Sequence, residues 1–130
     1  MYKFDLTTQK DGFFDITNEV RSAVKQSGVK NGICVVYCPH TTAGITINEN
    51  ADIYVGIDVN LGLCKAFPDC AEFRHDEGNS AGHLKSSVVG VSQTLIIENG
   101  EPVLGRWQHI YFMEFDPPRQ RNFYVKIIEG

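Results

Sequence analysis

Alternating apolar and polar positions predict strands at both ends of the chain and in its middle. Residues 2–8 alternate Phe4 and Leu6 with polar side chains, and residues 122–128 are rich in aromatic and β-branched positions. A period of two places one face of a strand in the core and the other toward solvent. Apolar runs at 32–38 and 43–48 predict two more strands, which flank the polar segment that contains His40.

Helices are predicted where apolar residues recur every three or four positions. One helix is expected after Thr17, a plausible N-cap, and before Gly28, which can supply a left-handed C-terminal residue. A shorter helix is expected from Ser80, its candidate cap, to a point before Gly90, with His83 in its first turn.

Residues 51–67 fit two patterns at once, since their apolar positions alternate strictly and also fall on one helix face. Asn50 and Asp52 offer N-caps and favour a helix. Gly56 and Gly62 each weaken it by about 1 kcal/mol relative to alanine. The pattern by itself leaves both interpretations open.

The C-terminal part of the chain predicts a run of strands. A strand at 93–98 leads into Asn99–Gly100, a pair that tolerates positive φ at both corners of a type I′ hairpin turn. We expect the return strand and its continuation at 102–116, with Trp107 packed in the core. With no regular βαβ repeat, the order of elements predicts an α+β fold with a mixed, largely antiparallel sheet and two to three helices.

Length and composition narrow the class of protein. With 130 residues, 42% of them hydrophobic and 22% charged, the chain fits a single globular domain over residues 1–130. A net charge of −4 gives no general reason to bind nucleic acid. No apolar stretch approaches the roughly 20 residues that cross a bilayer, and no signal-peptide run opens the sequence, so we expect a cytoplasmic protein without a membrane partner.

The four cysteines are expected to be reduced thiols. Cys34 and Cys38 fall on one face of an apolar strand, where they would be small core residues. A zinc site from Cys64, Cys70 and His75 is an alternative, but its spacing matches no common structural hook. A Cys/His nucleophile pair lacks any neighbour in the sequence that would activate the thiol.

His40, His75 and His83 are the candidate chemical groups, because imidazole titrates near neutrality and is a common metal ligand. Their spacing is not specific for zinc, and each could simply be a hydrogen-bonded surface or core histidine. Their polar surroundings favour a site. Three imidazoles on one divalent ion would leave a fourth position open, as in catalytic zinc centres.

Anion binding is a further hypothesis from the residues alone. The helix that begins at Ser80 would point free backbone N–H groups at a negative ligand, with Lys85 just after its first turn. Arg106, Arg119 and Arg121 could add bidentate phosphate contacts. Each of these cations taken alone could equally be a solvated surface charge.

Four ordered blocks over nearly the whole chain resemble the YjbQ family. They are PHTTAGITINE at 39–49, EGNSAGHLKSS at 77–87 preceded by His75, GRWQ at 105–108 and EFDPPR at 114–119. The resemblance implies an α+β fold whose sheet curls toward a barrel, assembly as a homotrimer, and a metal or anion site at the three histidines. It also favours the helix over 51–67.

The resemblance also implies roles for particular residues. His40, His75 and His83 become the ligands of a divalent ion, zinc or magnesium, and His40, His83 and the candidate general base Glu49 become the catalytic groups. Substrate contacts would come from the remaining motif positions Asn79, Lys85, Gln108 and Arg119, and Glu114 would line the site or a subunit boundary. The chain departs from the family pattern at Arg106 and His109, where smaller residues are usual.

Three hypotheses for function follow. The first is an enzyme that acts on a small phosphorylated molecule; since some family members are labelled secondary thiamine-phosphate synthases, that transferase reaction is its most specific form. The second is a non-catalytic module that binds a metal or a phosphorylated metabolite. The third is a structural role in which the histidines only satisfy hydrogen bonds between strands.

Overall fold

Eight strands and three helices form along the chain in the computed structural model, which describes residues 1–130. In chain order they are β1 (Tyr2–Thr8), β2 (Gly12–Asp15), α1 (Thr17–Ser27), β3 (Gly32–Tyr37), β4 (Ala43–Glu49), α2 (Ile53–Ala66), α3 (Ser80–Val89), β5 (Ser92–Glu98), β6 (Glu101–Pro102), β7 (Gln108–Glu114) and β8 (Arg119–Glu129).

The strands form two sheets. The larger has the order β1-β8-β3-β5-β6 and the smaller has the order β2-β7-β4, and neighbouring strands in both are antiparallel. The sheets curl into a half-barrel around a core of 15 buried residues. The predicted α+β class, with a curled and largely antiparallel sheet and up to three helices, is confirmed.

The helix predictions are confirmed, and their caps are corrected in part. Gly28 ends α1 with φ of 73°, as expected. Thr17 is the first residue of α1 rather than its cap, because its Oγ1 accepts a 2.8 Å hydrogen bond from the Ile110 N–H of β7. Similarly, α3 begins at Ser80, and its N-cap position is occupied by Asn79. Residues 53–66 are helical, and Asp52 caps them by accepting from the Tyr54 N–H at 2.9 Å.

The hairpin turn and the start of its return strand are confirmed, but the continuous strand predicted over 102–116 is wrong. Asn99 and Gly100 have φ of 53° and 79°, as a type I′ turn requires. The return strand stops at Pro102, and the chain then leaves the large sheet and enters the small one as β7. Trp107 lies in this crossing segment, 52% exposed beneath the Arg106 guanidinium, and so is not a core residue.

The two sheets separate after β3, and the two residues that follow α3 bridge the gap between them. The Cys38 N–H donates to the Val91 carbonyl at 2.8 Å, and the Ile45 N–H donates to the Gly90 carbonyl at 3.1 Å. Gly44 lets this segment approach, because a Cβ there would lie 2.6 Å from the Gly90 oxygen. The segment with His40 crosses the same opening.

A buried ion pair ties the two sheets together. Glu114 of β7 is fully buried, and its carboxylate accepts hydrogen bonds from Arg121 Nε of β8 at 2.8 Å and from Thr8 Oγ1 of β1 at 2.6 Å. Arg121 also donates to Thr42 Oγ1 at 2.9 Å. Burial alone would raise the pKa of Glu114, but the hydrogen bonds from Arg121, Thr8 and the Asp116 N–H outweigh it, so that the pKa is lowered.

Two apolar surfaces remain outside the core. Helix α2 has no buried residue, and its Ile53, Ile57 and Leu61 side chains are exposed. On the outer face of the large sheet, Ile33 pairs with both Ile96 and Ile128, and all three are exposed. None of the three helices combines the length and the apolar character that a membrane crossing requires.

Replacing Arg121 with Met should destabilise the fold by about 3–5 kcal/mol, because Glu114 would be left as a buried charge without its partner. The free energy of unfolding in urea measures the loss. The double variant Glu114→Leu/Arg121→Met should recover most of it, since no unpaired charge remains. Equal losses in the single and double variants would contradict this account.

The same pair makes stability depend on pH in a defined direction. Because the pKa of Glu114 is lower in the folded chain than in the unfolded chain, its contribution is complete above the ordinary carboxyl range and is lost as the pH falls through the lowered pKa. Urea unfolding from about pH 6 to about pH 3 should show a steeper decline in the wild type than in the double variant. Parallel curves would show that Glu114 is not responsible.

Candidate functional site

One open cleft of about 490 Å³ brings all three predicted histidines together. It lies where β3 ends, β4 and β8 begin and α3 starts. Eleven residues line it: Pro39, His40, Thr41, Thr42, His75, Glu77, Asn79, His83, Arg119, Gln120 and Arg121. We call it the histidine cleft.

His40 continues the large sheet with its side chain. Strand β3 pairs with β8 only as far as Tyr37 opposite Tyr124, so the next outward main-chain groups of β8, those of Asn122, lack a strand partner there. His40 Nε2 fills the place, at 3.0 Å from the Asn122 nitrogen and 3.1 Å from its oxygen. Burial and the nearby Arg121 charge lower the pKa of His40, which favours the neutral ring.

The Asn122 main chain can hold that neutral ring in two ways. If Nε2 accepts from the Asn122 N–H, the ring proton sits on Nδ1, and Nδ1 becomes a donor. If Nε2 donates to the Asn122 oxygen, Nδ1 carries a lone pair and can act as a base or a metal ligand. The structural role predicted as an alternative for the histidines therefore applies to one nitrogen of His40 and leaves the other for chemistry.

His83 is placed by the packing of α3 on the start of β4. Gly82 allows the approach, since a Cβ there would lie 3.2 Å from the Phe115 oxygen, and Ser86 Oγ donates to the Ala43 oxygen at 2.7 Å. The His83 ring meets His75 edge to face, with 5.3 Å between centroids. His75 comes from the turn-rich segment before α3 and is 44% exposed.

Arg119 is held at the cleft by Asp116. Its Nη2 donates to Asp116 Oδ2 at 2.7 Å, and its Nε donates to the main-chain carbonyl oxygen of Asp116 at 3.2 Å. Asn79 Nδ2 also donates to Asp116 Oδ2, at 2.9 Å. Burial would raise the pKa of Asp116, but these donors outweigh it and the pKa is lowered. Arg119 Nη1 stays free for a ligand. Because Asn79 bonds Asp116, no side chain caps the first N–H groups of α3.

The donor set does not fit a ready-made three-histidine metal centre. No group of three or more His, Cys, Asp or Glu side chains in the chain is placed to hold a metal ion. His40 Nε2 is taken by the Asn122 main chain, and His75 and His83 meet edge to face. The predicted zinc or magnesium ion thus gains no support from the arrangement within one chain.

Glu49 and Gln108 are not brought to the histidine cleft. They pair with each other at one end of β4 and β7, while Ala43 and Glu114 pair at the end beside the cleft. Six residues of strand separate the two ends, about 20 Å at the usual rise. Glu49 instead lines another depression with Asp15, Asp52 and other residues. A general base at the histidines of the same chain is therefore not Glu49.

Lys85 lies outside the cleft, and Arg121 lies in it but is not free to bind a ligand. Lys85 is buried and its Nζ donates to Cys64 Sγ of α2 at 3.3 Å, so it does not line the cleft. Arg121 does line it, but its guanidinium is engaged by Glu114 and Thr42. Arg106 stacks on Trp107, and His109 Nδ1 lies 2.7 Å from Asp15 Oδ2, so neither departure from the family pattern alters the cleft.

Two contributors were not predicted from the sequence as site residues. Gln120 lines the cleft only because β8 begins beside it, and Asn122 acts through its main chain, which no sequence pattern marks.

All four cysteines are free, and burial raises the pKa of Cys34 and Cys38 to about 11, as suits structural thiols. The homotrimer stays a prediction, since the structure describes one chain.

Comparison with known proteins matches the full arrangement to one family. The chain is 54% identical over 129 residues to UPF0047 protein MJ1081 of Methanocaldococcus jannaschii, covering 98% of this chain and 94% of that one. It is 51% identical to UPF0047 protein YugU of Bacillus subtilis, covering 94% and 93%. The crystal structure of an uncharacterized conserved YjbQ/UPF0047 protein from Clostridium acetobutylicum superposes with a TM-score of 0.95 at 55% identity, over 98% of this chain and 100% of that one. Because the family model for UPF0047 protein YjbQ-like also matches residues 2–130, the chain belongs to the YjbQ/UPF0047 family.

Proposed function

We propose that the histidine cleft binds a small phosphorylated molecule and that the protein is an enzyme acting on it. The observation that carries the proposal is the concentration of donors: three imidazoles, the Arg119 fork and the exposed Thr41 hydroxyl line one opening, with Glu77 as the single carboxylate among its eleven lining residues. Phosphate oxygens are acceptors that such a set can satisfy.

The start of α3 supports the same ligand class. Its first N–H groups have no side-chain cap, and they lie next to Asn79, which itself lines the cleft. Free N–H groups and the helix dipole favour negative charge at this end. Arg119 Nη1 could bind one phosphate oxygen while the Asp116 contacts hold the fork in place.

His40 is the residue best placed for proton transfer. Its lowered pKa keeps the ring neutral, and its Nδ1 is free because only Nε2 meets Asn122. A neutral ring can accept a proton from a reacting group, or donate one hydrogen bond without adding charge. This role replaces the one first predicted for Glu49. No step in it requires a metal ion.

Thiamine-phosphate synthesis is the most specific form of the proposal. In that reaction a pyrimidinylmethyl group leaves its pyrophosphate and bonds to the ring nitrogen of a thiazole phosphate, so both substrates carry phosphate groups for the cleft to bind. The free thiols throughout the chain fit the cytoplasmic setting that such metabolism implies.

The binding step is tested with inorganic pyrophosphate as the probe, by titration calorimetry. His83→Ala and Arg119→Gln should each weaken binding about tenfold, because each removes a charged or polar donor. Arg106→Gln is the matched control, since Arg106 stacks on Trp107 outside the cleft and its loss should leave the affinity unchanged. A chelator should also leave it unchanged. Loss of binding with the chelator, restored by Zn²⁺, would replace this proposal with a metal site.

Turnover decides between the enzyme and the non-catalytic module. Purified protein supplied with the two phosphorylated precursors should form thiamine phosphate above the level of a His40→Gln control, whose amide can still hydrogen-bond the Asn122 main chain, with and without added Mg²⁺. Pyrophosphate binding without product formation would favour the module and end the synthase proposal. If the protein shows neither pyrophosphate binding nor turnover, the structural role of the histidines is the explanation that remains.

A further inference from the structure

Lys85 occupies an unusual environment for a lysine. Its side chain is in α3, only 8% of the residue is exposed, and its one hydrogen-bond partner is the thiol of Cys64, 3.3 Å from Nζ. Buried lysines normally have a carboxylate or several oxygen acceptors around the ammonium group. The contact of this buried amine with a sulfur atom therefore indicates a role other than an ion pair.

Cys64 differs from the other three thiols in a matching way. Cys34 and Cys38 are buried in the core, and burial raises their pKa to about 11, so both are poorly reactive. Cys70 is exposed, and its only partner is the Pro68 carbonyl of its own loop. Cys64 alone combines partial exposure with a buried amine in contact.

We propose that Cys64 and Lys85 form a reversible sulfur–nitrogen cross-link when the protein meets hydrogen peroxide. Peroxide first oxidises the Cys64 thiol to a sulfenic acid, and one water leaves. The Lys85 amine, after losing a proton to solvent, attacks that sulfur; the S–N bond forms, the S–O bond breaks and a second water leaves. In total one thiol, one ammonium and one peroxide give one sulfenamide, two waters and one proton.

The geometry favours this product over further oxidation. Sulfenic acids are captured by a nearby thiol or nitrogen when one is in reach, and otherwise proceed irreversibly to the sulfinic acid. Cys64 is not bonded to another cysteine, whereas Lys85 Nζ is already in contact with it. The flexible four-carbon stem of Lys85 can rotate to shorten the 3.3 Å contact further.

The bond would join α2 to α3 at a place that affects the histidine cleft. Lys85 lies two positions after His83 in α3. Helix α2 has no fully buried residue, and a covalent link through Cys64 would add an attachment between the two helices. Oxidation would in this way restrain the helix that carries His83, and reduction by thiols would release it.

The test uses the full chain with Cys70→Ser, which removes the other exposed thiol. After treatment with hydrogen peroxide, the intact mass should fall by two hydrogens; once the remaining free thiols are blocked, proteolytic mapping should give one cross-linked peptide pair containing Cys64 and Lys85. A thiol reductant should restore the original mass. Peptide mapping of the Cys70→Ser protein alone shows whether the cross-link forms, even if further variants fold poorly.

Two variants supply the controls. Cys64→Ser should show no mass change, and Lys85→Arg should show Cys64 advancing to the sulfinic acid, because a guanidinium does not capture the sulfenic acid. If the Cys70→Ser protein itself gains oxygen at Cys64 and behaves like Lys85→Arg, the cross-link does not form and the proposal is overturned. An intermolecular disulfide through Cys64 would overturn it as well.

Discussion

The pairing of Glu114 with Arg121 is the constraint on which the rest of the structure depends. The Glu114 carboxylate is fully buried and must be paired and hydrogen-bonded. Its side-chain partners come from the opposite sheet, because Arg121 and Thr8 lie in the large sheet and Glu114 lies in the small one. The pair fixes β7 against β8 at the point where the sheets diverge. Through Thr42 it also fixes the start of β4, and with it one wall of the histidine cleft.

That constraint determines which charges are left for a ligand. Arg121 lies in the cleft wall, but its guanidinium already donates hydrogen bonds to Glu114 and Thr42. Arg119, two residues earlier, is exposed and keeps Nη1 free because Asp116 holds only its other nitrogens. The two arginines look equivalent in sequence, but one supports the fold and the other is available to bind.

Local patterns predicted the elements well, and their pairing poorly. The type I′ turn at Asn99–Gly100 follows from residues adjacent in sequence, and it was predicted correctly. The continuous return strand over 102–116 was predicted wrongly, because the chain's move from one sheet to the other depends on strands that are distant in sequence. Glu49 was placed with the histidines by motif alone, while the register that puts it at the opposite end of β4 depends on β7. The prediction that Lys85 contacts a substrate is not supported for a similar reason, since its contact with Cys64 of α2 depends on tertiary packing.

His40 shows why structural and functional roles need not compete. The sheets must part near residue 38 for the half-barrel to curl, and the parting leaves main-chain groups of Asn122 that require a partner. An imidazole can satisfy them with one nitrogen and keep the other, whereas a serine or asparagine offers no neutral group that titrates. The fold thus requires a hydrogen-bonding side chain at this position, and a histidine there also places a proton-transfer group at the cleft.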